Sequence, residues 1–247
     1  MLRTVEKGTS ALMRSTLLSG TLVLLAIAVG AGPAQAQHIT SPYRYIDQSQ
    51  ALTVQATYIA TNRGMLNLGP ESGMAYGLSY TIRLGGPFNV DLAASFFPTR
   101  RAVMDTIPAD SITLTNDPLA SVTKIGEDKL GIALLTAALR FDITGPRTFH
   151  GLMPFVIFGG GVARQVYETG IADVHLISAR RYHFGGLFAG QIGGGTDWFL
   201  THRLTARLDV RDTFWRINIP AAFQRDPIPS REWVQNLHAS LGLSWRF

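Results

Sequence analysis

The last eleven residues alternate strictly. Leu237, Ala239, Leu241, Leu243, Trp245 and Phe247 are apolar, while His238, Ser240, Gly242, Ser244 and Arg246 between them are polar or small. A strand points successive side chains to opposite faces, so this spacing predicts a strand with one apolar and one polar face. The period recurs upstream. Leu52, Val54, Ala56 and Tyr58 alternate with Thr53, Gln55 and Thr57, and Met74, Tyr76, Leu78, Tyr80 and Ile82 with Ala75, Gly77, Ser79, Thr81 and Arg83. Val90 to Phe96, Ala133 to Phe141 and Arg203 to Thr213 repeat it. Met153–Gln165 and Tyr182–Phe199 are apolar on both faces and carry the glycine runs Gly159–Gly161 and Gly193–Gly195. Glycine inside a strand marks a bulge, a bend or a close backbone approach, and no helical period competes, so these also read as strands.

Eight strands follow, joined by connections of alternating length. Leu84–Pro87, Thr144–Gly151 and Leu200–His202 are short; Thr61–Ser72, Pro98–Glu127, Tyr167–Arg181 and Trp215–Arg231 are long. Short turns at one end and long loops at the other are the layout of an outer-membrane barrel. The expected fold is all-β: a closed, antiparallel, eight-stranded transmembrane barrel with up-and-down topology. A soluble sandwich or a lipocalin-like barrel also alternates, but neither has reason to sort its loops by end. The aromatics Tyr76, Tyr80, Phe96, Trp198, Trp215, Trp233, Trp245 and Phe247 fall near strand ends or on the apolar face, as interfacial girdles do. An apolar outer face needs a closed ladder, because hydrocarbon offers the backbone no hydrogen bonds.

Composition narrows the class. Of 247 residues, 16% are charged, 46% are hydrophobic and none is cysteine. Average domains carry about 25% charged residues. Mean hydropathy is only +0.14, and one apolar run is too few for a helical membrane protein. Without cysteine there is no disulfide, thiolate metal site or cysteine nucleophile. The N-terminus reads as a leader. Arg3, Lys7 and Arg14 precede the apolar stretch Leu17–Ala31, and Ala34-Gln35-Ala36 supplies the small-x-small cleavage pattern. Residues 1–36 are expected to be a cleaved signal peptide, with Met13 an alternative start and an uncleaved anchor the competing reading. Residues 37–50 then form a periplasmic lead-in and 51–247 the barrel. Without the leader the net charge falls from +5 to +3, a weak argument for nucleic acid.

The C-terminus resembles the assembly signal of outer-membrane barrels. Phe247 is terminal, Trp245 sits two residues before it, and Leu243 and Leu241 occupy the preceding alternate positions. With eight strands, residues 38–247 resemble small barrels of the OmpA/OmpX type. The stretch Phe184–Phe199, with Thr196-Asp197-Trp198, is similar to their sixth strand. The resemblance implies a Gram-negative outer membrane, contact with outer-membrane lipid and lipopolysaccharide, periplasmic chaperones, and delivery to the barrel-assembly machinery through the last strand. The peptidoglycan-binding domain of full-length OmpA proteins is not expected after the barrel.

For function, the polar face supplies the candidates. An eight-stranded barrel is just wide enough for side chains to fill. The inward set is Arg83, Asp91, Arg140, Asp142, Asp197, Arg207, Asp209, Arg211 and His238. In a low-dielectric lumen these charges should pair, which predicts a plugging ion-pair network and a non-enzymatic structural or surface role. A narrow small-solute path or ligand-binding barrel is the alternative. An enzyme is a third class. His238 and Ser240 match the two-residue spacing of the lipid A deacylases, but theirs face lipid, and Leu241-Gly242 replaces the Asn-containing run. His150, His175, His183 and His202 lack ligand spacing, and no cofactor or metal is expected. The long Pro98–Glu127 segment suggests a loop partner of unknown identity. The mature chain has 17 arginines and 2 lysines, so Arg100, Arg101, Arg180 and Arg181 are candidates for lipopolysaccharide phosphates, with codon usage in a GC-rich genome as the competing cause.

Overall fold

The computed structural model describes residues 41–106, 122–169, 172, 176, 178–224 and 228–247. The leader, with Ala34 and Ala36, lies outside them. Eight long strands form the barrel: β2 (Gln50–Thr61), β3 (Gly73–Gly85), β4 (Phe88–Thr106), β5 (Val122–Asp142), β7 (Leu152–Thr169), β8 (Gly186–Phe199), β9 (Leu204–Asn218) and β10 (Arg231–Arg246). Two short strands, β1 (Tyr43–Tyr45) and β6 (Arg147–Phe149), pair with each other at the end that carries the turns. Each long strand pairs antiparallel with the next in sequence, and β10 pairs with β2 from Asn236↔Thr61 to Arg246↔Ala51, which closes the ladder. Closure leaves no edge in the main sheet.

The alternation sets which face points out. Leu52, Val54, Leu78, Leu135, Leu208 and Leu241 are 45–65% exposed, while Thr53, Ser79, Asp197, Thr205 and Asp209 are at most 1% exposed. A continuous apolar skin over a buried polar interior reverses the soluble arrangement, and its extent far exceeds the few-hundred-Å² patches of soluble monomers. The glycine runs serve close approach. A Cβ on Gly195 would lie 2.6 Å from the Cβ of Asp209, and one on Gly193 would lie 2.7 Å from the Cα of Arg211. Bare backbone on β8 is what lets the charged side chains of β9 turn inward there.

Several boundaries differ from the sequence expectation. The described parts of Pro98–Glu127, residues 98–106 and 122–127, are ladder and not loop, because pairing of β4 with β5 continues from Phe88↔Phe141 to Thr106↔Val122 across one irregularity at Val103/Met104. Their inward residues Arg101 and Val103 are buried, so the inward alternation persists beyond the apolar skin. Likewise β7 runs to Thr169, β9 to Asn218, and β10 begins at Arg231. Tyr182 and Phe184, expected to open a strand, instead turn into the barrel mouth, and β8 starts at Gly186. At the turn end, Thr144–Gly151 holds β6, which captures part of the expected lead-in as β1. The rings of Tyr43 and Phe149 lie 5.4 Å apart. Gly85 and Gly86 make the β3–β4 turn with φ of 153° and 55°, values that disfavour any side chain.

Candidate functional site

The interior is layered. Toward the turn end lies a charge cluster built from the inward positions of β4, β5, β8, β9 and β10. Asp197 accepts hydrogen bonds from Arg140 Nη2 at 2.7 Å, Arg207 Nε at 2.9 Å and Arg246 Nη2 at 2.5 Å. Arg140 also donates Nε to Asp142 at 2.7 Å, and its guanidinium stacks 3.8 Å over the Phe155 ring. Arg207 reaches Asp91 at 3.1 Å and Thr81 at 3.2 Å. Arg211 pairs with Asp209 at 2.8 Å and approaches Asp91 at 3.7 Å. Four arginines therefore face four aspartates, all 5% exposed or less. This balance is what a low-dielectric interior demands, since removing one partner strands a buried charge.

Two residues of the expected set stand apart. Arg83 donates to the carbonyl of Ile46 at 2.7 Å and forms no carboxylate pair among the described residues, because it sits at the turn end of β3, below the carboxylates. His238 faces a different layer, nearer the loop end. The parity of β10 placed Arg246 on the polar face, yet only the fold brings it to Asp197.

Above the charges lies a small cavity of about 20 Å³ lined by Gln55, Thr57, Gln191, Arg211, His238 and Ser240, among others. Thr57 and Ser240 hydroxyls lie 2.9 Å apart. His238 Nε2, Gln55 Oε1 and Gln191 Nε2 are buried without a hydrogen-bond partner among the described residues. His238 and Ser240 are 6% and 4% exposed and face inward.

Toward the loop end the interior becomes apolar, which corrects the expectation of a polar inward face throughout. Ile59, Phe97, Leu130, Ile132, Trp215 and Ile217 come from the strands, and Leu66, Leu68, Tyr182, Phe184, Ile219, Phe223 and Ile228 come from the loops. Trp215 is 2% exposed and edge-on to Phe184 at 5.9 Å, so it belongs to this core and not to an outer girdle. Counting from outward Val210 by twos assigns Trp215 to the inside; proximity to a strand end had obscured it.

The rim carries further ion pairs. Arg101 is 1% exposed, bonded to Glu168, 3.9 Å from Asp128, and 5.7 Å from the Tyr182 ring centroid. Burial pushes the Tyr182 phenol above its ordinary range, more than Arg101 pulls it down. Arg180 pairs with Asp105 at 2.7 Å, and Arg181 donates to the Leu176 carbonyl at 2.9 Å. Arg101 is thus committed inward and does not face an external phosphate, while Arg100 is outward with a side chain 62% exposed. On the outer face of the last strand, Leu241, Leu243, Trp245 and Phe247 are 51–65% exposed. The terminal Phe247 is locked by backbone bonds to Gln50 in both directions, at 3.0 and 3.1 Å.

No protein-family model matches the sequence, nor does any curated protein. Solved structures do match. The outer membrane protein OprG from Pseudomonas aeruginosa aligns at 16% identity over 84% of this chain and 99% of its own, with a TM-score of 0.50. Neisserial surface protein A aligns at 10% identity over 80% and 97%, with a TM-score of 0.49. Outer membrane protein W of E. coli aligns at 12% identity over 83% and 100%, with a TM-score of 0.44. The likeness to OprG and the closed ladder agree: the chain has the fold of a small eight-stranded outer-membrane β-barrel.

Proposed function

We propose that the protein is a non-enzymatic barrel of a Gram-negative outer membrane, exported with a cleaved leader. In this reading its interior is sealed and its loop end is the working surface. One observation supports it: along the interior a neutral four-against-four charge cluster is followed by an apolar core fed by three loops. An ion crossing that apolar core would be stripped of water without replacement, a penalty of several kcal/mol per ion. The cavity between the charge cluster and the apolar core, at about 20 Å³, has room for about one or two waters.

The inward burial of His238 and Ser240 argues against lipid hydrolysis, since an acyl ester in the bilayer has no path to either side chain. Ser240 shares its hydroxyl contact with Thr57 rather than with a base. Conductance of the refolded chain in planar bilayers tests the reading. A sealed barrel gives no stable single-channel steps; reproducible steps at neutral pH would replace it with the narrow-channel alternative.

A further inference from the structure

On the outer face, Arg100 of β4 stands directly opposite Lys129 of β5 in the antiparallel ladder. Like charges in register repel and destabilise a sheet, so their pairing calls for an anion. The nearby carboxylates are already shared. Glu127 lies 3.7 Å from Arg100 but also holds Lys124 at 2.5 Å, and Glu71 pairs with Arg63 at 3.3 Å. Lys129 has no ion-pair partner among the described residues. Both cations border an open pocket of about 400 Å³ that also presents Ser72, Thr99, Tyr167 and Glu71, whose carboxylate is neutralised by Arg63.

Height identifies the ligand. Tyr76 is in register with Phe96, and the Phe96 and Tyr167 rings lie 6.1 Å apart, forming an outward aromatic row. Such rows mark the boundary between hydrocarbon and headgroups. Arg100 is four residues beyond Phe96 along β4, which at ~3.3 Å per residue and a tilt of about 40° raises it about 10 Å. That is the layer where lipid phosphates sit. The geometry points to a binding site for the phosphate of a membrane lipid headgroup between Arg100 and Lys129, with the lipid chain lying on Tyr167 and Phe96. Arginine takes a phosphate bidentately and lysine adds a point charge. The inference rests on the proposed membrane setting.

The test uses the full barrel chain refolded in octyl glucoside, with folding of every variant verified by its heat-shifted mobility in SDS gels. Binding is measured for diphosphoryl lipid A, for lipid A stripped of both phosphates, and for inorganic phosphate. The site predicts that R100Q/K129Q weakens diphosphoryl lipid A by about tenfold or more, a loss of about 1.4 kcal/mol. R147Q, at the turn end, leaves binding unchanged, and the stripped lipid binds weakly to every form. Equal binding of the diphosphoryl lipid by the folded double variant overturns the site, as does equal binding of the stripped lipid. Inorganic phosphate binding as tightly as the lipid would overturn the lipid as its source. A chain soluble without detergent would overturn the membrane setting instead, an outcome visible before any lipid is added.

Discussion

Arg207 on β9 reaches across the barrel to Asp91 on β4, donating Nη1 to the carboxylate at 3.1 Å. The same guanidinium gives its Nε to Asp197 on β8 at 2.9 Å. The fork thereby ties opposite walls of a closed sheet, and the other arginines of the cluster hang on the same two carboxylates.

Asp197 is the hub, so its removal should be the most damaging change in the cluster. Asp197→Ala leaves Arg140, Arg207 and Arg246 facing one another with their shared acceptor gone. Breaking a buried pair typically costs about 3–5 kcal/mol. Urea unfolding in detergent micelles should show a loss of that order for Asp197→Ala. Arg83→Gln, outside the cluster, should lose much less. Equal losses would mean that the cluster does not act as a unit.

The outer face predicts the opposite sensitivity. Leu208, between inward Arg207 and Asp209, is 56% exposed. Placing Arg there puts a charge into hydrocarbon, at a cost of roughly 2–4 kcal/mol near the midplane. A neutral Leu208→Arg together with a stabilising Asp209→Leu would mean that the two faces are reversed.

The apolar loop-end core should depend on Trp215. Trp215→Ala removes the largest buried side chain of the loop-end core and its contact with Phe184. A loss of about 3–5 kcal/mol is typical for such truncations. Limited proteolysis should show the loop between β7 and β8 cut faster, with the turn end unaffected. Unchanged cleavage would show that Phe184 is held by other contacts.

How much of this was legible in the sequence depends on the range of the interaction. The period-two pattern carried six of the eight strands, with their outward positions and inward charges, because strand parity is a local property; β7 and β8 were legible only as apolar, glycine-interrupted runs without a helical period. What it missed is set by contacts distant in the chain. Arg246 belongs to the cluster only because closure brings β10 beside β9 and β2. Arg101, grouped with exposed Arg100 from composition, is inward by parity and is captured by Glu168, 67 residues away. The loop-end core was invisible because its loop members, such as Leu68 and Phe223, follow no strand period. They are inside because the barrel mouth is wide enough to take them.

Phe247 separates assembly from stability. It is 54% exposed, and its ring lies 6.5 Å from that of Tyr80. Deleting it removes little buried surface but two backbone bonds to Gln50, so refolding into detergent should survive with a urea-stability loss of about 1–3 kcal/mol. If the last strand is the assembly signal its pattern resembles, the amount inserted in cells should fall severalfold. Normal membrane levels of the deletion would refute that role.

The sorting of side chains between hydrocarbon and interior can be read directly from the tryptophans. Trp198, Trp233 and Trp245 are 51–59% exposed on the outer face, whereas Trp215 is 2% exposed inside. Four single-tryptophan variants, reconstituted in bilayers of lipid brominated along the acyl chain, report contact with hydrocarbon by fluorescence quenching. The three outward residues should be quenched, each to a depth set by its distance from the midplane, and Trp215 should retain its emission. Strong quenching of Trp215, or none of the other three, would contradict a barrel with its apolar face to the lipid.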